Sequence, residues 1–407
     1  MSYKVLSRKW RPKNYSQIVG QIHIVQTLIN SIKLQRISHA YLFTGPRGVG
    51  KTTAARVLAK SLNCQDVKDV EPCNQCINCN EITEDRSLDV IELDGASNNT
   101  VNDVRDLKNS VRYPPQSSKY RIFIIDEVHM LSNSAFNALL KTLEEPPSYC
   151  LFILATTDPY KIPATIISRT QKLDFSIISD SDISNHLKNI LINEKINFDD
   201  KSIEFISSKA DGSMRDALSI LEQIISYCEK DIKANKIKDI LGIIEDNEFY
   251  DILLSINQND YSTIIDKIEH LHNSGFAYSN IISGFNAFLA KCMLVSNNVN
   301  LNGLSSEMKS WIKSPNCRFN KSDFLKIVEL GTETQIKMKD VIDLKIAMQS
   351  FFVRLASLKL DGNTNKVFKK DIPQETINKT NEKTSSESSN QYKDVEQNKT
   401  EKNSITY

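Results

Sequence analysis

Glycine is scarce in this sequence: 12 in 407 residues, where an ordinary share of about 7% would give roughly 28. That excludes collagen-like and glycine-linker architectures, and it makes any local cluster of glycines informative. Net charge is nearly absent too, with 51 Lys+Arg against 50 Asp+Glu. No global basicity announces nucleic acid or membrane, so a DNA-binding surface would have to be local. No apolar run approaches the ~20 residues of a membrane span. Residues 1–10 lack the apolar stretch of a signal peptide. The expected compartment is the cytoplasm, where thiols stay reduced, so the eight cysteines are not read as a disulfide framework. Cys150, Cys228, Cys292 and Cys317 stand alone and read as small buried hydrophobes. The other four are clustered.

From residue 39 to about 175, short apolar runs alternate with helical patterns. His39–Thr44, Leu88–Leu93, Arg121–Asp126, Tyr149–Ala155 and Leu173–Phe175 read as strands, and Thr52–Leu62, Val101–Arg112 and Ser134–Glu144 as helices. Buried strands separated by helices imply a mainly parallel sheet covered on both faces. Asp180–Glu194, Lys201–Ala210 and Ser213–Cys228 then indicate a small helical unit with no strand signal. Beyond residue 242, three apolar stripes follow: Phe249, Ile252, Leu253 and Ile256; Ile281, Ile282, Phe285, Phe288 and Leu289; and Val341 to Leu355. They read as the inside of a helical bundle that could also supply a subunit interface. From Gly362 the composition collapses to Asn, Lys, Thr, Ser, Glu and Gln, which predicts a disordered tail.

Three of the rare glycines fall in Gly45-Pro46-Arg47-Gly48-Val49-Gly50-Lys51-Thr52, which fits G-x-x-x-x-G-K-[ST] between an apolar strand and a helix. Glycines let the backbone turn tightly enough for its N–H groups to surround a polyphosphate at a helix N-terminus. Lys51 would reach the β- and γ-phosphates, and the Thr52 hydroxyl would ligate Mg²⁺. Arg121–Asp126 is an apolar strand ending in two carboxylates, Asp126 and Glu127. Asp126 can hold the hydration shell of Mg²⁺, and Glu127 can orient and deprotonate an attacking water. A mere nucleotide-binding scaffold could dispense with Glu127, so the pair points to ATP hydrolysis.

Cys64, Cys73, Cys76 and Cys79 offer four thiolates with two adjacent C-x-x-C steps. Four thiolates suit tetrahedral Zn²⁺ and leave no open position for catalysis. The expectation is a structural zinc module at 64–79; redox chemistry, the rival, needs only two cysteines.

The phosphate loop and acidic strand together resemble an AAA+ ATPase. Ser38–Arg47, Asp126–Leu131 and Asn137–Pro147 resemble, more narrowly, the gamma/tau family of bacterial DNA polymerase III clamp-loader subunits. The resemblance runs from about residue 3 to 240; beyond that the helices fit the family's collar by position and pattern. It implies an α/β P-loop AAA+ core at 1–178 with the inserted zinc module, a helical lid at 179–242, an all-helical collar at 243–361 and a polar tail at 362–407.

The same resemblance assigns roles. Thr157, with Thr156 as alternative, takes the place of a polar sensor near the γ-phosphate. Arg169, in Ser168-Arg169-Thr170, matches an arginine that enters the neighbouring subunit's ATP site; Thr170 stands where the family usually has Cys. Arg215 matches a second sensor in the lid, and Arg8 and Arg11 lie beside the nucleotide, as do Arg47, Val49 and Thr53 around the loop. The implied activity is conversion of ATP to ADP and phosphate, within the polymerase holoenzyme but without nucleotidyl transfer. The implied partners are copies of this chain and delta- and delta-prime-type subunits in a hetero-pentamer, the sliding clamp, and primer–template DNA touched through its backbone by residues such as Arg105. The length matches a short, gamma-like form. Two rivals are a branch-migration or helicase-loading motor, which would not be expected to combine the four-cysteine insert with Leu143–Pro147, and a non-hydrolysing scaffold subunit, which would be expected to lose Lys51, Thr52 or Glu127.

Overall fold

Among the described residues, five short strands make the central sheet: β1 (Ala40–Thr44), β2 (Val90–Asp94), β3 (Arg121–Asp126), β4 (Cys150–Thr156) and β5 (Gln171–Asp174). They appear in a computed structural model that describes residues 4–97, 107–228, 231–299, 304–338, 341 and 343–357. Every strand pairing is parallel, in the order β2-β3-β4-β1-β5. All of β1 and β4, and β3 up to Ile125, are buried, as expected of parallel strands covered on both faces. On one face Tyr41, Phe43, Ile122 and Ile153 pack against Ala54, Val57 and Leu58 of a long helix. On the other, Leu42, Phe123, Phe152 and Leu154 meet Phe136, Leu139 and Leu143.

The helices of this layer are α1 (Leu6–Lys9), α2 (Ile22–Lys33), α3 (Lys51–Asn63), α4 (Ile77–Thr83), α5 (Asn133–Glu144) and α6 (Ala164–Ile167). α3 starts one residue earlier than the sequence pattern indicated, because Gly50 (φ +103°) caps it and Lys51 is already helical. β2 starts at Val90 rather than Leu88, since Leu88 is exposed and Asp89 is buried as a loop anchor. Its carboxylate accepts the N–H groups of Gln116, Ser117 and Ser118 at 2.8–3.0 Å. Against the desolvation that would raise it, those bonds hold the Asp89 carboxyl below its usual range. β5 is displaced from Leu173–Phe175 to Gln171–Asp174: it is an edge strand with only Leu173 buried, so it carries almost no apolar signal. Of the expected helix Val101–Arg112, residues 107–111 are helical and 101–106, with Arg105, lie outside the described residues.

Next come α7 (Asp180–Glu194), α8 (Asp200–Lys209), α9 (Met214–Cys228) and α10 (Ala234–Leu241), around a core of Ile183, Leu187, Ile206 and Leu221. This part is not free of strands. β6 (Asn197–Phe198) and β7 (Asp231–Ile232) pair in parallel, and Asp199 beside them accepts from Ser202 N and Ala234 N at 2.7 and 2.9 Å. Two-residue strands are too short to show a period-2 pattern. Leu6 joins this same cluster, and its N–H donates to Glu222 at 3.2 Å. The chain's first helix thus packs on α9, more than two hundred residues downstream.

Among the described residues, six further helices follow: α11 (Asp246–Gln258), α12 (Tyr261–Asn273), α13 (Tyr278–Ser296), α14 (Ser306–Ile312), α15 (Lys321–Lys337) and α16 (Leu344–Ala356). The stripes on α11 and α13 are buried throughout. The third stripe is shorter than expected: Val341 is exposed, and Asp343 caps α16 by accepting from Lys345 N and Ile346 N. Cys150, Cys228 and Cys292 are buried and Cys317 half-buried, all as free thiols. Among the described residues no helix is long and apolar enough to cross a membrane. Residues 362–407 lie outside the described residues.

Candidate functional site

The sheet register brings three strand ends together. Thr44 stands opposite Thr156, and Ile125 opposite Leu154, so the loops after β1, β3 and β4 leave the same edge. Ligand sites of open parallel sheets form outside this carboxyl edge. A cleft of about 260 Å³ opens here, lined by Arg47–Thr53, Asp126, Glu127 and residues of the first segment and of α7 and α9.

The loop between β1 and α3 requires glycine at two positions in particular. Gly45 has φ +140°, and a Cβ there would stand 2.3 Å from the Phe175 carbonyl oxygen. Gly48 has φ +76°, and its Cβ would stand 2.0 Å from Ser213 Oγ. Lys51 Nζ donates to the carbonyls of Gly45 and Pro46, both at 2.8 Å. These two residues brace the lysine rather than line the cleft. Burial lowers the Lys51 pKa, opposed by the charges of Glu127 and Asp126. Thr53 lines the cleft one residue on, and Val49 lines it as a buried residue of the loop.

Thr52 Oγ1 donates to Asp126 Oδ2 at 2.6 Å. Glu127 adopts φ +45°, a left-handed conformation uncommon for a non-glycine residue and typical of strain held at functional positions. Its Oε2 accepts from Thr157 Oγ1 at 2.9 Å and from Thr157 N at 3.3 Å. His129 Nδ1 lies 3.4 Å from the same oxygen and 3.1 Å from Thr156 Oγ1. Thr157 does not line the cleft; it holds the carboxylate that does. Thr156 is fully buried and meets His129 instead.

Arg8, Arg11 and Arg215 line the cleft, and Arg215 N donates to the Gly48 carbonyl at 3.4 Å, tying α9 to the loop. Burial, with Arg56 and Arg215 nearby, lowers the Arg11 pKa. Arg169 is not brought to this cleft. It is part-exposed, donates to Glu144 at 2.6 Å and to the Thr165 carbonyl at 2.7 Å, and sits at the end of α6. Sequence reasoning missed His186, Met214 and Leu218, which line the cleft from α7 and α9. Burial lowers the His186 pKa. The available signal was the i, i+4 apolar pair Met214 and Leu218 on the first two turns of α9.

The four clustered cysteines meet at the far end of α3. Cys64 caps that helix, Cys76 caps α4, and one sulfur from each of the four lies within 4.8 Å of the others. Tetrahedral bonds of about 2.3 Å place sulfurs about 3.8 Å apart, so the cluster fits Zn²⁺. Backbone N–H groups face the sulfurs: Cys73 N to Cys64 at 3.3 Å, Cys76 N to Cys73 at 3.3 Å and Cys79 N to Cys76 at 3.5 Å. The N–H groups of Gln75 and Cys76 pull the Cys73 thiol down to about 6, whereas burial pushes Cys79 up.

A family profile described as "DNA polymerase III, delta subunit" matches residues 20–179, and one described as "DNA polymerase III clamp loader subunit, ATPase lid domain" matches 182–230. DNA polymerase III subunit tau of Bacillus subtilis is 42% identical over 309 residues, which is 76% of this chain and 55% of that protein. Subunit gamma of Buchnera aphidicola from Acyrthosiphon pisum is 49% identical, covering 63% of this chain and 70% of that one. Subunit gamma of Buchnera aphidicola from Schizaphis graminum is 38% identical, covering 86% and 94%. The chain thus spans about half the length of the tau relative but nearly all of a gamma relative. Among solved structures, the Thermotoga maritima RuvB branch-migration motor aligns over 75% of this chain at a TM-score of 0.44 and 16% identity, too loose to bear on function. On the sequence matches, this chain belongs to the gamma/tau family of DNA polymerase III clamp-loader subunits.

Proposed function

We propose that the chain is an ATP-hydrolysing motor subunit that loads a ring-shaped sliding clamp onto primed DNA. The hydrolytic part of this reading is carried by the 2.6 Å contact between Thr52 and Asp126 with Glu127 beside it at the phosphate loop; the clamp-loading part is supported by the match to gamma subunits. Loop, hydroxyl and two carboxylates converge as phosphoryl transfer to water requires. The loop N–H groups and Lys51 hold the β- and γ-phosphates, and Glu127, oriented by Thr157, takes the proton of the attacking water. Arg8, Arg11 and Arg215 meet the nucleotide from the other walls. Mg²⁺ accompanying the nucleotide would be held by Thr52 and Asp126 and would neutralise phosphate charge. Zn²⁺ held by Cys64, Cys73, Cys76 and Cys79 would cross-link the insert without chemistry of its own.

Arg169 lies away from its own cleft, and in this reading it completes the site of a neighbouring subunit, stabilising charge as the γ-phosphate leaves. Copies of this chain join delta- and delta-prime-type subunits, and hydrolysis acts as a switch between assembly states. The test is ATPase of the purified chain with loader partners, clamp and primed DNA. Activity should rise when clamp and primed DNA are both present; equal stimulation by branched duplex without a clamp would end the proposal. In mixed oligomers Arg169→Ala should bind ATP normally while hydrolysis falls on the order of 10³-fold; unchanged turnover there would remove the role in trans.

A further inference from the structure

Residues 10–21 form one wall of the cleft, which Arg11, Pro12, Ile18 and Val19 line. The segment has little regular structure, only a 3₁₀ turn at Tyr15–Gln17, so its position depends on what grips it. Both ends are gripped. Trp10 Nε1 donates to Glu194 on α7 at 2.8 Å. The buried Gln21 side chain exchanges two hydrogen bonds with the Ser176 backbone, at 2.7 and 3.2 Å.

The middle is gripped by the cysteine insert. The two carboxylate oxygens of Glu71 accept the N–H groups of Tyr15 and Ser16 at 2.8 and 3.0 Å, satisfying donors that the start of a helical turn leaves without partners. Asn74 Nδ2 donates to Asn14 Oδ1, and Lys60 Nζ of α3 donates to Asn74 Oδ1 at 3.2 Å. Glu71 is itself fixed. It closes a tight turn with Lys68, bonded backbone to backbone in both directions at 2.9 and 3.2 Å. Asp69 and Val70 inside that turn have φ +45° and +75°, a strained conformation for a β-branched residue. Val70 nevertheless stays buried in the same cluster as Tyr15, and its carbonyl accepts from Ser61 Oγ. The loop leaves Cys64 and returns at Cys73, so the four-cysteine cluster closes its base.

We propose that Glu71 is a positioning residue for the base end of the nucleotide: by holding Tyr15 and Ser16 it fixes the wall that carries Arg11, Pro12 and Ile18. The cysteine insert then serves the nucleotide site as well as its own fold. This rests on reading the cleft as an ATP site. The phosphates belong to the loop at Gly45–Thr52, whereas Pro12, Ile18 and Val19, with Met214 and Leu218, offer the apolar surface that suits a nucleobase. Loss of Glu71 loosens one end of the ligand and leaves the other.

The experiment is calorimetric titration of the full chain with ATP and, separately, with inorganic tripolyphosphate, in the wild type, Glu71→Ala, Glu71→Gln and Lys51→Ala. Glu71→Ala should weaken ATP about tenfold and leave tripolyphosphate within about twofold, which also shows that its phosphate loop is folded. Glu71→Gln, keeping one acceptor oxygen, should fall between. Lys51→Ala should lose both ligands. An Ala variant that binds ATP as the wild type does, or that loses both ligands in equal proportion, overturns the positioning role. A wild type that binds neither overturns the ATP reading, and this role with it.

Discussion

At the start of α3, Lys51 and Thr52 meet the loop carbonyls and the acid at the end of β3, on the wall of an open cleft. At the other end of this thirteen-residue helix, Lys60, Ser61 and Asn63 are buried and carry fixed partners. Asn63 exchanges two hydrogen bonds with the Tyr120 backbone, both at 2.9 Å, and its carbonyl accepts from Asn78 at 2.8 Å. Polar groups at one end of the helix line an open cleft; at the other they tie the helix to the strand and the insert around it. In the proposed function, similar polar residues serve chemistry or cohesion according to whether they line the cleft or are paired inside the fold.

That contrast can be broken from either side. The largest effect is expected from Lys51→Ala, which should abolish ATP binding in calorimetric titration while moving the thermal midpoint by no more than about 2 °C; a cooperative loss of stability would mean that the lysine is cohesive after all. Cys79→Ser strikes the opposite end. It should cost roughly 3 kcal/mol of stability in urea unfolding while the chain still binds tripolyphosphate. Loss of both together would show that the two ends are not separable. The smallest change is expected from Asn63→Ala, about 1.5 kcal/mol, because it leaves the Tyr120 N–H and carbonyl without partners. A neutral outcome would locate the cohesion in the cysteines alone.

Much of this architecture was legible in the residues. Gly45–Thr52, Asp126, Glu127 and the four cysteines are local patterns whose spacing carries the geometry, and the structure brings the loop and the acids to one cleft. The stripes on α11 and α13 were legible for the same reason. What escaped was set by distant chain. Trp10 meets Glu194, Leu6 joins the core beside α7 to α9, and Glu71 grips Tyr15; no periodicity links residues so far apart. β5 was misplaced because an edge strand buries one residue, and β6 and β7 were missed because two residues carry no period. Thr157 reads from the sequence as a polar sensor near the γ-phosphate; what the sequence does not show is the bond from its hydroxyl to Glu127.

Trp10 carries one further consequence. It is one of two tryptophans; the other, Trp311, lies edge-on to Tyr250 among the C-terminal helices. The Trp10 indole lines the cleft and donates its N–H to a carboxylate on α7, so its surroundings change whenever that helix shifts against the first segment. Indole emission follows local polarity and hydrogen bonding. With Trp311 replaced by Phe, the molecule would hold a built-in optical gauge of the fit between its opening segment and the helices that cover the cleft, readable in real time without an attached dye.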